Sequence, residues 1–274
     1  MARFALGRFA RIALVAPALI FAAPPAQAGG GDLLVAPTRV VLDGRRGTEV
    51  VLNNIGSEVA TYRISAEFRR MGPDGKLIDV ETPNAKEQAA QEMVLFAPRR
   101  VTLPPNQPQS IRLSARAPEG LADGEYRVHL LFRAVPPPEP VASPQKVEGI
   151  AFRLIPIYGV TIPVIVRLGN LEAKAAISNV RKVTEDGKPA IALDISRSGD
   201  RSTFGEVRVL KAGVSDPIAL VRGVAVYTEV GQRSVTIAID PAHAAQASGQ
   251  VTVQYVEPTD TGPVTIAETT AVLR

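Results

Sequence analysis

The chain has 274 residues, with 31 Lys and Arg against 27 Asp and Glu, 23 Pro, 22 Gly and no Cys. That length suits one or two globular domains. The lack of cysteine excludes disulfide scaffolds, zinc knuckles, iron–sulfur centres and thiol nucleophiles, and only two histidines remain for acid–base or metal chemistry.

The basic excess is concentrated at the start. Arg3, Arg8 and Arg11 precede an apolar run from Ile12 to Ala23, which meets Pro24, Pro25 and the small-x-small triplet Ala26-Gln27-Ala28. Basic, apolar and small residues in that order predict a secretory signal peptide over residues 1–28. A membrane-spanning helix needs about 20 apolar residues, and the prolines come too soon for one. Cleavage after Ala28 leaves residues 29–274 with 28 basic against 27 acidic side chains. A net charge of +1 gives no basis for nucleic-acid binding, and no later segment is apolar enough for membrane insertion. The mature protein is expected to be exported and soluble.

Along the mature chain Val, Ile, Leu, Tyr and Phe alternate with polar residues, and Gly, Pro, Asn or Asp interrupt every eight to twelve positions. This pattern predicts an all-β protein. The first half carries candidate strands at Leu33–Leu42, Glu49–Asn53, Ala60–Phe68, Met93–Phe96, Gln109–Ser114 and Glu125–Val135. Asp74-Gly75 supplies a turn, and Asn84–Glu92, rich in Ala, Gln and Glu, suits a one- or two-turn helix. After Arg167 the candidates are Ala175–Val180, Ala190–Ser196, Gly205–Leu210, Gly223–Tyr227, Ser234–Ile239, Gln250–Tyr255 and Thr265–Leu273, with Asp186-Gly187 as a second hairpin turn. About seven strands per half predict two immunoglobulin-like β-sandwich domains in tandem at an angle. The expected domains are residues 29–168 and 169–274, hinged at Leu168-Gly169-Asn170.

One segment breaks the half-buried pattern. From Leu154 to Val166 the residues are apolar on both parities, so the strand has two faces to hide. Pro156 and Pro163 cannot donate to a ladder and are confined to edges, strand starts or bulges. An edge strand with two apolar faces is an aggregation hazard unless covered. Each large side chain left bare forgoes roughly 1.5–3 kcal/mol of burial, which makes such an edge a docking surface. Upstream, the proline-rich stretch from Pro136 to Pro144 favours extended conformations. A proline-rich loop feeding a bare strand is the arrangement that β-strand donation to a partner requires.

These residues resemble the periplasmic pilus and fimbrial assembly chaperones, the PapD-like family. The resemblance is carried by Thr38-Arg39-Val40-Val41-Leu42-Asp43-Gly44, by Phe96-Ala97-Pro98-Arg99-Arg100-Val101-Thr102-Leu103-Pro104-Pro105, by Ser110-Ile111-Arg112-Leu113, and by the block from Asp123-Gly124-Glu125-Tyr126 to Val135-Pro136-Pro137. It covers most of the first domain, while the second is supported by strand count and length. The resemblance implies a periplasmic chaperone that binds, folds and caps pilin-type subunits by donating a β-strand and delivers them to an outer-membrane usher.

Site roles follow from the same resemblance. Arg39 takes the position of the family's basic residue that anchors the subunit's C-terminal carboxylate, for which a guanidinium offers two parallel hydrogen bonds. The family's second anchor, a lysine, falls near Pro163, and this chain has no lysine between Lys146 and Lys174, so either another basic group completes the anchor or the chain belongs to a divergent branch with different anchoring. The alternating donor residues fall on Leu154, Pro156 and Tyr158, with Val160 and Ile162 on the same parity. From Val160 to Val166 the chain's own core is the stronger claimant, so Leu154 and Tyr158 carry the expected client contact. An interdomain charge cluster is implied at Glu125 and Arg167, with Glu257 or Asp260 as third member. The exposed strand also allows self-association when no client is bound.

An enzymatic reading finds little support. His129 lies on the parity of Arg127 and Arg133 in a candidate strand, and His243 sits in an Ala-rich loop. The chain has no Gly-x-Ser-x-Gly, phosphate loop, His-Glu-x-x-His or calcium-loop signature, so no catalysis, cofactor or metal is expected. An alternative of another class is an exported structural or adhesive immunoglobulin-like subunit. Such a subunit needs a long N-terminal donor extension, whereas only Gly29-Gly30-Gly31-Asp32 separates the cleavage point from the first strand.

Overall fold

The computed structural model describes residues 32–136 and 157–274. The expected leader, most of the proline-rich stretch and the donor positions Leu154 and Pro156 lie outside the described residues.

The chain is almost entirely β and forms two sandwiches. The first contains β1 (Leu33–Ala36), β2 (Val40–Leu42), β3 (Thr48–Asn54), β4 (Ala60–Glu67), β5 (Arg69–Met71), β6 (Leu77–Asp79), helix α1 (Ala85–Met93), β7 (Val94–Ala97), β8 (Arg100–Leu103), β9 (Pro108–Ala115), β10 (Gly124–Val135) and β11 (Gly159–Leu168). Its sheets have the orders β1-β3-β9-β7 and β2-β11-β10-β4-β8, and β5 and β6 form a separate hairpin. The second contains β12 (Ala173–Glu185), β13 (Lys188–Gly199), β14 (Thr203–Leu210), β15 (Ala219–Val226), β16 (Gln232–Ala238), β17 (Gly249–Thr259) and β18 (Gly262–Leu273). Here the orders are β12-β13-β16 and β15-β14-β17-β18.

Local chemistry accounts for the punctuation. Asp186 and Gly187 both adopt positive φ, 48° and 75°, as a two-residue hairpin turn with the sheet's own twist requires. Glu185 therefore pairs directly with Lys188. The helix begins with a capping box, in which Asn84 Oδ1 accepts from the Glu87 backbone N–H at 2.9 Å and Glu87 Oε2 accepts from the Asn84 N–H at 2.7 Å. Two of the four otherwise unpaired N–H groups of the first turn are thereby satisfied.

One strand expectation needs correction, and two short strand regions add to those expected. Leu33–Leu42 is two strands in two different sheets, because Pro37 has no N–H to continue the β1–β3 ladder and the chain crosses to run parallel to β11. Arg100–Leu103 forms β8 on β4, and the Asp74-Gly75 turn joins two real strands, β5 and β6. Those runs are too short for periodicity to single out.

Each sandwich encloses its own core. The first buries Leu52, Tyr62, Ile111, Leu130, Phe132 and Ile162, and the second Ile191, Leu193, Val209, Val253 and Tyr255. Fully burying such side chains is worth about 1.5–3 kcal/mol each before chain entropy is counted. β10 is the member of the first domain that faces two ways. Val128, Leu130 and Phe132 point into its core, while Glu125 and His129, on the other parity, are only 2% and 1% exposed. The second domain covers that outer face. It also takes in Met71 and Ile165, which belong to the second apolar cluster although the chain places them in the first domain.

Candidate functional site: an arginine cleft at an open strand edge

β11 pairs along its length with β10, whereas β2 covers it only from Val164 to Val166. Among the described residues, Gly159 to Pro163 therefore form a free edge of five residues, about 16 Å long at the usual rise per strand residue. The Ala134 N–H donates to the Tyr158 carbonyl at 2.9 Å, so the backbone groups of Tyr158, Val160 and Ile162 face β10. By alternation those of Gly159, Thr161 and Pro163 face the open edge. Pro163 thus lacks its N–H on the side where no partner strand exists, and the β10 ladder is unbroken.

The parallel register pairs Val40 with Val164, which brings Arg39 level with Pro163, where the cover ends and the open edge begins. Its guanidinium lies in the cleft between domains, with Nη2 donating to Ser202 Oγ at 3.2 Å. The Cζ atom is 4.6 Å from the Phe204 ring centroid and 5.8 Å from that of Tyr227, within cation–π range. Nη1 is buried with no hydrogen-bond partner. Burial pushes the pKa of the Arg39 guanidinium below its ordinary value, a shift opposed by the nearby Tyr227 and Glu125.

Three other arginines of the cleft have acids of their own. Arg167 donates Nε to Glu125 Oε2 at 3.0 Å and Nη2 to the Ser202 carbonyl at 3.1 Å. Glu125 Oε2 also accepts from the Ser202 N–H and hydroxyl, both at 2.9 Å. Arg201 holds Glu257 through two bonds of 2.9 and 3.0 Å, and Arg127 grips both oxygens of Glu229 with Cζ 3.7 Å from the Tyr227 centroid. Arg39 alone among these four has no carboxylate. It opens, with Arg167, onto a cavity of about 340 Å³ walled by Pro37, Val41, Phe204 and Pro258. A buried cation with an unused donor beside a cavity favours an anion, because leaving such a group unpaired is unfavourable.

The structure brings Glu125 and Arg167 together but corrects the rest of the expected cluster. Glu257 reaches it through Arg201 rather than by pairing with Arg167, and Asp260 is exposed on the last hairpin turn and makes none of the ion pairs found among the described residues. Of the donor positions, Tyr158 is 56% exposed. Ile162 is fully buried and Val160 packs against the same core, so these two are already spent inside their own domain. Arg167 lines the same cavity as Arg39 and is a basic neighbour of it. Sequence reading missed Arg201, Ser202, Phe204, Tyr227 and Glu229. All five come from the second domain, and nothing in their local patterns says that they face the first.

No family model matches the chain, and no curated protein matches it. Among solved structures it is similar to the YadV chaperone (16% identity, TM-score 0.44, 88% of this chain and all of that one). It is also similar to the Pseudomonas aeruginosa CupB2 chaperone (13%, 0.45, 88% and all), and to a Salmonella enterica complex of the SafA pilin with the SafB chaperone (17%, 0.42, 89% and 97%). At such identities and scores the likeness carries no argument about fold, partners or activity.

Proposed function

We propose that this chain is a periplasmic chaperone of the chaperone–usher kind, exported by residues 1–28, that binds pilin-type subunits, completes their unfinished sandwich with a donated strand and passes them to an outer-membrane usher. The observation that carries the reading is Arg39, an unpaired buried guanidinium placed where the open edge of β11 begins. A client strand with its carboxylate on Arg39 and Arg167 and its body beside Thr161 and Gly159 continues the line of β2, parallel to β11. Open backbone groups fix its register, and the exposed Tyr158, with Leu154 and Pro156 upstream on the same parity, offers side chains to the client's groove. Val160 and Ile162 complete the chaperone's own core and join the two cores end to end. Binding needs no nucleotide, since buried apolar area supplies the affinity. Glu125 and Arg167 hold the two domains at the angle that shapes the cleft.

The test is co-purification from the periplasm of the native host, with clients identified by mass spectrometry. Small β-rich subunits should accompany the wild type at about one to one. Arg39→Ala, which removes two charge-assisted bonds, should weaken capture about 100-fold, and Leu154→Asp with Tyr158→Asp should abolish it. Partners that are unchanged by all three substitutions would rule out strand donation here and favour the structural-subunit alternative.

A further inference from the structure

The cavity at Arg39 has a neighbour across Phe204. Phe204 and Pro258 also line a second hollow of about 320 Å³ on the outer face of β14 and β17, closed by Val256, Pro263, Gly223 and Arg222, with mostly apolar walls. The one acid in this lining, Glu206, is held at 3.2 Å by Arg222 Nε and by Arg208 on its other oxygen. Two arginines share that one carboxylate, so the hollow presents apolar surface with a positive rim at the exposed Arg222.

A peptide carboxylate on Arg39 constrains what comes next. The side chain of the same terminal residue begins two bonds from the carboxyl carbon, so it must lie within a side chain's length of the guanidinium. Phe204 stacks on that guanidinium and walls the hollow. We propose that this hollow is a specificity subsite for the side chain of the client's C-terminal residue, and that it selects a large apolar or aromatic residue over a small or basic one. A basic side chain would be desolvated there beside Arg222 and Arg39 with no anion to meet it, and a small one would leave the apolar walls bare. The proposal rests on the carboxylate-anchoring reading of Arg39 and adds which chain ends it accepts.

Calorimetric titration of the full mature chain tests it with synthetic twelve-residue peptides of one alternating Val/Thr body. These end in Phe, Leu, Ser or Lys, each as free acid and as amide. Phe- and Leu-ended acids should bind about 10-fold tighter than the Ser-ended acid, Lys should bind weakest, and amidation should weaken all four. Pro263→Trp, at an exposed turn-proximal position of β18 paired with Pro258, should fill the hollow and erase the Phe-over-Ser preference while the acid-over-amide preference persists. Equal binding of all four acids, still tighter than their amides, overturns the subsite and leaves the anchor standing. Indifference to both the terminal residue and amidation, unchanged in Arg39→Ala, overturns both.

Discussion

His129 shows how far a single residue's chemistry depends on what covers it. Both ring nitrogens are buried without a partner, its ring meets that of Tyr227 edge-on at 6.4 Å, and Glu67 and Pro163 flank it in register. Burial first, and then the Arg127, Arg69 and Arg39 charges, push its pKa down to about 3 from an ordinary 6.5. The folded state thus binds fewer protons than the unfolded chain between these values, so stability rises with pH across the window. The stabilisation is complete above about pH 6.5 and is lost as pH falls toward 3, with an upper limit of about 5 kcal/mol. Scanning calorimetry between pH 7.5 and 4 should show the wild-type melting temperature falling faster than that of His129→Phe, which keeps the ring and removes the titration. Parallel profiles would mean that the cleft opens to water before the ring must be protonated.

At the scale of an element, β11 combines a core strand and an open edge in ten residues. Val164 to Val166 are fully buried, Val164 and Val166 by their own core and Ile165 by the second domain. Toward Gly159 the same strand loses both its β2 partner and its cover. Pro163 stands at the change, with its missing donor turned to the open side, a position where proline blunts edge-to-edge pairing. Pro163→Ala should therefore leave thermal stability almost unchanged, within about 0.5 kcal/mol, yet add an outward N–H that promotes pairing between copies. Sedimentation velocity across a concentration series should detect more dimer in the variant. A large loss of stability with no change in association would place the proline's role inside the sheet instead. The apolar run and its prolines were readable as an edge in the linear sequence; the point at which the edge closes was not, because it is set by β2, which lies more than 120 residues upstream.

At the scale of the molecule, the β5–β6 hairpin clasps the second domain. Met71 is buried in that domain's apolar cluster, and its N–H donates to Glu229 Oε1 at 2.8 Å. The Ser234 N–H donates to the Pro73 carbonyl at 2.8 Å, and Gly75, at φ 80°, leaves room for the Arg233 guanidinium where any side chain would collide. Glu229 meanwhile holds Arg127, so one carboxylate ties the hairpin and β10 together. Met71→Asp places a charge in this apolar seat and should uncouple the domains. Calorimetry should then show two melting transitions in place of one, and solution scattering a broader spread of interdomain distances. A single transition at lower temperature would show that the clasp contributes stability without setting the arrangement.

The linear sequence by itself determined the β class, most strand positions, the Asp186-Gly187 and Asp74-Gly75 turns and the capped helix after Asn84, because these depend on alternation and short-range hydrogen bonding. It also singled out Arg39, Glu125, Arg167 and the unusual segment ending at Val166. Only the tertiary structure decided which arginine each acid serves. Glu257 and Asp260 looked equivalent from sequence, yet one meets Arg201 and the other stays in solvent, because the approach of two sheets chooses between residues three positions apart. It likewise left Arg39 as the cleft arginine without an acid and set Phe204 against it. Pairing across domains is a matter of distance in space, and period-two alternation encodes the face of a strand but not the surface that will come to cover it.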